Sequence, residues 1–157
     1  MRSSTETGAA AQSGCELGRR LVWHGVLLFL LGLLVGTAVS AMANPRMGLS
    51  AHVGTVLNGT FLIALGAAWG VAELSPRVQR GAFWLLVAGS YGGCLGVLLA
   101  ALLGTRDATP IHGAAQPASQ WKETLVYLVL TVSAAVMLAG TAVTLFGIRR
   151  VKGEHRA

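Results

Sequence analysis

The sequence predicts an all-α integral membrane protein, a bundle of four transmembrane helices with both termini in the cytoplasm. Of its 157 residues, 54% are hydrophobic and only 11% are charged, whereas an ordinary soluble domain carries about 25% charged residues. So few charges cannot cover a surface that faces mostly water. Four apolar segments are also each near or above the ~20 residues that a helix needs to cross a bilayer. These segments are Leu21–Ala43, Ala51–Glu73, Gly81–Gly104 and Thr124–Gly147.

The apolar segments are typical of helices and not of barrel strands. Only helices and closed barrels satisfy the backbone polar groups in lipid, and these runs lack the period-two alternation of barrel strands. Helix-breaking residues mark the links between them. The first link contains Asn44-Pro45-Arg46-Met47, the second contains Ser75-Pro76-Arg77, and the third is a longer stretch, Thr105–Glu123, with two prolines.

The four spans predict one membrane domain over residues 19–150. The small, polar residues before it predict a disordered tail at 1–18, and a basic tail follows at 151–157. A cleaved secretory signal is the alternative for the first span, because Arg19-Arg20 precede an apolar run that ends in Ala41-Met42-Ala43. That run is longer than the ~7–15 residues of a signal core, so a retained span is favoured.

The distribution of basic residues predicts the orientation. Nine lysines and arginines lie in the two tails and the second link, against three in the other links. The side with nine is expected to face the cytoplasm, across a bacterial-type inner membrane. The nine are Arg2, Arg19, Arg20, Arg77, Arg80, Arg149, Arg150, Lys152 and Arg156, and the three are Arg46, Arg106 and Lys122. Membrane anchoring explains the net charge of +6, so we expect lipid contacts and no nucleic-acid partner.

A polar cluster runs from the first link into the second span. Its members are Asn44, Arg46, Ser50, His52, Thr55, Asn58 and Gly59. At about 100° per residue, one arc of about 120° on this helix holds His52, Thr55, Asn58, Gly59, Leu62 and Gly66. Polar side chains inside a span are costly, and their default interpretation is functional. This face predicts either a pocket wall or a tight helix contact.

His52 is the strongest single candidate for chemistry. A neutral imidazole is the commonest protein ligand for a metal or for haem iron, and Gly48 and Gly54 leave room for a large planar group. From spacing alone, we favour an interfacial histidine that hydrogen-bonds a headgroup or a carbonyl. Asn58 lies six residues on, about 9 Å along the helix, so it cannot share a ligand with His52. It either orients a substrate or bonds a neighbouring helix.

Tyr91 lies midway along the third span, among glycines. A buried tyrosine hydroxyl needs a partner, so Tyr91 either bonds a neighbouring helix or points into a cavity. His24, near the inner end of the first span, is expected to be interfacial. Glycines also recur at four-residue spacing, as at Gly89 and Gly93, which indicates close helix packing within the bundle or between subunits.

Three stretches carry a family resemblance. They are Trp23-His24-Gly25-Val26-Leu27, the turn Asn44-Pro45-Arg46-Met47-Gly48-Leu49-Ser50-Ala51-His52, and Leu57-Asn58-Gly59-Thr60-Phe61-Leu62. They closely resemble the hydroxylaminobenzene mutases, whose wider group includes the styrene oxide isomerases. The resemblance covers about residues 20–105 of this sequence.

The resemblance implies a four-helix membrane isomerase, a homotrimer that holds haem b between its subunits and acts on a small aromatic substrate. His52 would be the axial ligand of the haem iron, and Asn58 would help to hold the substrate. We expect Asn44 and Arg46, in the same turn, to contact the cofactor, and Tyr91 to be the catalytic residue of the third helix. The implied reaction is the rearrangement of an aryl hydroxylamine to a 2-aminophenol, with the iron acting as a Lewis acid.

Two alternatives stay open. The epoxide isomerases of the group carry an acid and a tyrosine on the third helix, where this chain has Gly89 and Val97, so the mutase branch is favoured over conversion of an aryl epoxide to an aldehyde. A non-catalytic bundle whose polar face binds only a partner subunit is the alternative from another class.

Overall fold

The protein is an all-helical bundle in the computed structural model, which describes residues 4–114 and 117–149. Four long helices are present in these residues, and each is long and apolar enough to cross a membrane. They are α1 (Ser4–Ala38), α2 (Pro45–Ala67), α3 (Pro76–Leu103) and α4 (Gln120–Arg149). The predicted fold class is therefore confirmed, whereas the side on which the termini lie stays a prediction. The predicted basic tail at 151–157 lies outside the described residues.

Helix α1 begins at Ser4, within the stretch 1–18 for which the sequence predicts a disordered tail, and the division of the chain into tails and membrane domain stays a prediction. Residues 1–18 include three alanines, two glutamates and one glutamine, which favour helix over coil. Its end also packs on the bundle: Leu17 lies against the hydrophobic core, and a Cβ on Gly18 would lie 2.8 Å from the carbonyl oxygen of Gly66. The first helix therefore extends beyond its apolar run, and the part of it next to that run packs on the bundle.

Helix α2 begins at Pro45, earlier than the predicted start at Ala51. Asn44 caps the helix, since its Oδ1 accepts a hydrogen bond from the backbone nitrogen of Met47 at 3.3 Å. A proline at the first helical position suits this cap, because it has no N–H to satisfy. The polar first turn therefore belongs to the helix, although its hydropathy does not indicate a span.

Glycines bring the helices into close contact in pairs. A Cβ on Gly59 of α2 would lie 2.6 Å from the backbone nitrogen of Phe29 in α1. A Cβ on Gly89 of α3 would lie 2.8 Å from the α-carbon of Met137 in α4. Such backbone approach is how helices associate in lipid. These glycines therefore serve packing within one chain.

Candidate functional site

The His52 ring is held along one edge, on the side of α2 that faces α1. Its Nδ1 is 2.7 Å from the carbonyl oxygen of Gly32, and the ring packs so closely on Gly36 that a Cβ there would lie 2.7 Å from Nδ1. A carbonyl only accepts hydrogen bonds, so Nδ1 donates and the neutral ring keeps its lone pair on Nε2. Among the described residues, no hydrogen bond reaches Nε2.

This arrangement is the one that metal-ligating histidines use. In such sites the second ring nitrogen donates to a carbonyl or carboxylate, which fixes the tautomer and the ring orientation. The predicted alternative of a histidine bonded to a carbonyl is therefore found, and that bond leaves Nε2 available. A role of His52 as a metal ligand stays a prediction. The described residues contain no group of three or more His, Cys, Asp and Glu that could hold a metal ion, whereas haem iron can be held by a single histidine.

A cavity of about 240 Å³ lies between α2, α3 and α4. Its walls include Asn58 from α2, Gly93 and Cys94 from α3, and Ser133 from α4. The Asn58 Nδ2 donates to the carbonyl oxygen of Gly54 at 2.9 Å. The Asn58 Oδ1 has no hydrogen-bond partner in the part of the chain that is described. The cavity thus presents an uncommitted acceptor on a largely apolar wall.

Within one chain, His52 and Asn58 do not line the same pocket. Their separation of six positions places the two side chains about 120° apart around α2, with His52 against α1 and Asn58 in the cavity. Thr55, Gly59 and Leu62, which lie between them on the predicted arc, are buried. This face of α2 therefore serves in both predicted ways. The buried residues in its middle form a tight helix contact, and Asn58 at one end is part of a pocket wall.

Tyr91 bonds a neighbouring helix, which is one of its two predicted alternatives. Its hydroxyl and the Nδ1 of His24 on α1 are 3.2 Å apart and hydrogen-bonded. The rings of Trp23 and Phe83 pack edge-on against that histidine. Tyr91 is not among the residues that line the cavity of Asn58. Its catalytic role stays a prediction, and the hydroxyl is engaged elsewhere in this chain.

Asn44 and Arg46 lie at the start of α2. Asn44 is buried, and besides capping the helix it donates through Nδ2 to the carbonyl oxygen of His112 at 2.7 Å. It therefore ties α2 to the third link. Arg46 is exposed, where it could pair with an anionic group. A contact of either residue with a cofactor stays a prediction.

Sequence reasoning did not single out Glu123, which organises the third link. Its buried carboxylate accepts hydrogen bonds from the backbone nitrogens of Arg106 (2.8 Å) and Ala118 (3.1 Å) on one oxygen. The other oxygen accepts from those of Asp107 (3.0 Å) and Ala108 (3.3 Å). The sequence did contain a signal for this role, because Glu123 borders an apolar run. A carboxylate at such a position is energetically costly unless hydrogen bonds satisfy it.

Replacing Glu123 by glutamine is expected to loosen this link. The glutamine side chain has an NH₂ group in place of one carboxylate oxygen, so two backbone N–H groups would face another donor and lose their acceptor. Each buried donor left unsatisfied costs about 1–3 kcal/mol. Hydrogen exchange at the amides of Arg106, Asp107 and Ala108 should accelerate by roughly tenfold or more. Asp107→Asn, at an exposed acid of the same link, is the matched control. Unchanged exchange in Glu123→Gln would contradict this role.

Comparison with known proteins places the whole bundle in one family. The family model of styrene oxide isomerase matches residues 17–149, from the end of the first helix's amino-terminal extension to the end of α4. The chain belongs to the styrene oxide isomerase family. The predicted resemblance is thereby confirmed, and the protein is a multi-pass membrane isomerase.

Two similar relatives come from Ectopseudomonas oleovorans. The chain is 40% identical over 134 residues to hydroxylaminobenzene mutase HabB, covering 85% of this chain and 82% of that protein. It is 39% identical over 127 residues to hydroxylaminobenzene mutase HabA, covering 80% of this chain and 94% of that protein. No solved structure matches this chain.

Proposed function

We propose that this isomerase is a haem-dependent mutase that rearranges an aryl hydroxylamine, with hydroxylaminobenzene as the type substrate, to a 2-aminophenol. The identity of about 40% to two hydroxylaminobenzene mutases supports the substrate class. The structural observation that carries the proposal is the His52 imidazole, whose Nδ1 is bonded to Gly32 while Nε2 stays available.

The described residues fit a haem b group, and His52 is the residue that would hold its iron through Nε2. The bond to the Gly32 carbonyl orients the imidazole, and the exposed side chains of Leu49 and Val53 on the same helix offer apolar surface. Arg46, exposed at the start of α2, is a suitable partner for a propionate. When bound, the iron supplies a Lewis acid that polarises the substrate oxygen.

A homotrimer with haem at the subunit interfaces is part of this proposal. In one chain, His52 and the cavity of Asn58 lie on different sides of α2. A site that uses both residues is therefore incomplete within one copy. Contact between two copies would bring His52 of one copy near the Asn58 cavity of another. The many exposed apolar side chains of the bundle are available for such a subunit interface.

The cavity supplies the environment for the rearrangement. Its volume of about 240 Å³ exceeds that of the ~150 Å³ apolar cavity that accepts benzene in another protein. The Asn58 Oδ1 would accept a hydrogen bond from the substrate N–H and so orient the ring. In the reaction the N–O bond breaks and the hydroxyl adds to the ortho carbon. That carbon loses its proton, and the nitrogen gains one to become the amine. Apolar walls exclude water that would capture a cationic ring.

Epoxide isomerisation is the second candidate, which the family name favours. The cavity wall includes Gly89 and Val97, at the positions where the resemblance places an acid and a tyrosine in the epoxide branch. A wall without these groups supports the hydroxylamine substrate.

Product analysis tests the proposal. The haem-loaded protein in lipid nanodiscs is expected to convert hydroxylaminobenzene to 2-aminophenol and to leave styrene oxide largely unreacted, as measured by chromatography against haem-free protein. Conversion of styrene oxide alone, to phenylacetaldehyde, would replace the proposed function by the epoxide alternative. Conversion of neither substrate would favour a non-catalytic bundle.

A further inference from the structure

Besides the Asn58 Oδ1, the cavity wall contains a second polar atom without a hydrogen-bond partner among the described residues, the hydroxyl oxygen of Ser133. Ser133 on α4 is 8% exposed and lines the cavity, yet its hydroxyl makes no hydrogen bond within the described residues. Two threonines of the same helix behave differently. Thr141 donates to the carbonyl oxygen of Met137 and Thr144 to that of Gly140, both at 2.9 Å. The Ser133 hydroxyl could make the same bond to its own helix and does not.

Helix α3 leaves space for this hydroxyl. Gly92 lies directly against Ser133 Oγ, where a Cβ would collide with it. The next residue, Gly93, lines the cavity, and a Cβ there would meet nothing within 4 Å. Gly92 therefore lets α4 approach α3 at Ser133, and Gly93 leaves the adjoining part of the cavity open.

The other hydroxyls of the wall are already committed. Ser50 donates to the carbonyl oxygen of Arg46 at 3.2 Å, and Thr55 donates to that of Ala51 at 2.7 Å. Among the three hydroxyls that line the cavity, only that of Ser133 has its proton available. On the α2 wall, the Asn58 Oδ1 is likewise uncommitted. Ser133 and Asn58 therefore give the cavity an uncommitted hydroxyl donor and an uncommitted amide acceptor on different helices.

We propose that Ser133 is a positioning residue, whose O–H donates a hydrogen bond to the oxygen of the substrate while Asn58 accepts one from the substrate N–H. The N-hydroxy group of an aryl hydroxylamine matches both side chains. Its oxygen can accept the hydrogen bond from Ser133, and the N–H on the adjacent atom can donate to Asn58. A buried hydroxyl left unpaired is unfavourable, so it discriminates against ring compounds that lack an oxygen. The assignment rests on the proposed function, because it names the group that Ser133 recognises.

The test compares two probes of similar shape that differ in one hydrogen-bonding group. Binding of 4-fluorophenol and 4-fluorotoluene to the haem-loaded protein in nanodiscs is measured by ¹⁹F NMR titration, which needs no turnover. Ser133→Ala is expected to weaken 4-fluorophenol binding by about three- to tenfold, the worth of one hydrogen bond, and to leave 4-fluorotoluene within about twofold. Ser133→Thr, which keeps the hydroxyl, should restore the preference. Thr141→Ala, on an exposed part of α4, is the control.

The outcomes separate this role from the proposed function. If Ser133→Ala lowers the affinity for both probes equally, Ser133 has a structural role. If the affinity for both probes is unchanged, the ligand does not use the hydroxyl. Either result overturns the assignment, as does a wild-type protein that does not prefer the phenol. If the preference shifts as expected but hydroxylaminobenzene is not converted, the binding group stands and the proposed reaction fails. If conversion occurs, KM for hydroxylaminobenzene should rise in Ser133→Ala by the same factor as the loss of 4-fluorophenol.

Discussion

Replacing His52 by alanine is expected to abolish haem binding, and with it the Soret absorbance of the purified protein and its isomerase activity. In the proposed site, Nε2 of this residue is the protein's ligand to iron, and the Gly32 carbonyl holds the ring through Nδ1. Loss of a residue that merely supports a ligand typically costs about 10–100-fold in metal affinity. Loss of the ligand itself should therefore weaken haem binding by more than about 100-fold, as a haem titration followed by absorbance would measure.

His112→Ala is the matched control for this experiment. The His112 side chain is exposed in the third link, and the hydrogen bond that it shares with Asn44 uses its backbone oxygen, which the substitution keeps. This variant should bind haem as the wild type does. An unchanged Soret band in His52→Ala would contradict the assignment of the ligand, whatever the activity of that variant.

Replacing Gly93 by leucine is expected to remove most of the isomerase activity while the bundle stays folded. Gly93 lines the cavity, and a Cβ at this position would meet nothing within 4 Å. The added side chain therefore occupies the space assigned to the substrate without disturbing a helix contact. Displacement of a substrate by about 1 Å can cost on the order of 100-fold in rate, so kcat/KM should fall at least that much. The thermal midpoint and the haem spectrum should stay at their wild-type values.

Two further glycines of α3 make this result interpretable. Gly81 is exposed with nothing within 4 Å of a Cβ and does not line the cavity, so Gly81→Leu should keep full activity. Gly89 lies against the Met137 backbone, where a Cβ would come within 2.8 Å, so Gly89→Leu should lower the thermal midpoint. Full activity in Gly93→Leu would mean that the substrate does not enter this cavity.

Local sequence patterns predicted the architecture because membrane helices are specified by length and hydropathy. Each of the four spans was recognisable without knowledge of its neighbours, and all four are helices. The ends of these helices were less predictable, since they depend on particular contacts. The cap that Asn44 provides, for example, starts α2 at Pro45, six residues before the apolar run at Ala51.

By itself, the sequence determined the four-helix membrane class, the family, and His52 and Asn58 as candidates. Only the tertiary structure decided what each polar group meets: Gly32 for His52, His24 for Tyr91, and a cavity for Asn58 and Ser133. The physical reason is that helical periodicity specifies the direction of a side chain around its own axis. The partner of that side chain depends on which helix packs alongside and on how the two helices are aligned along their axes. Close contacts of glycines with residues distant in sequence set that alignment.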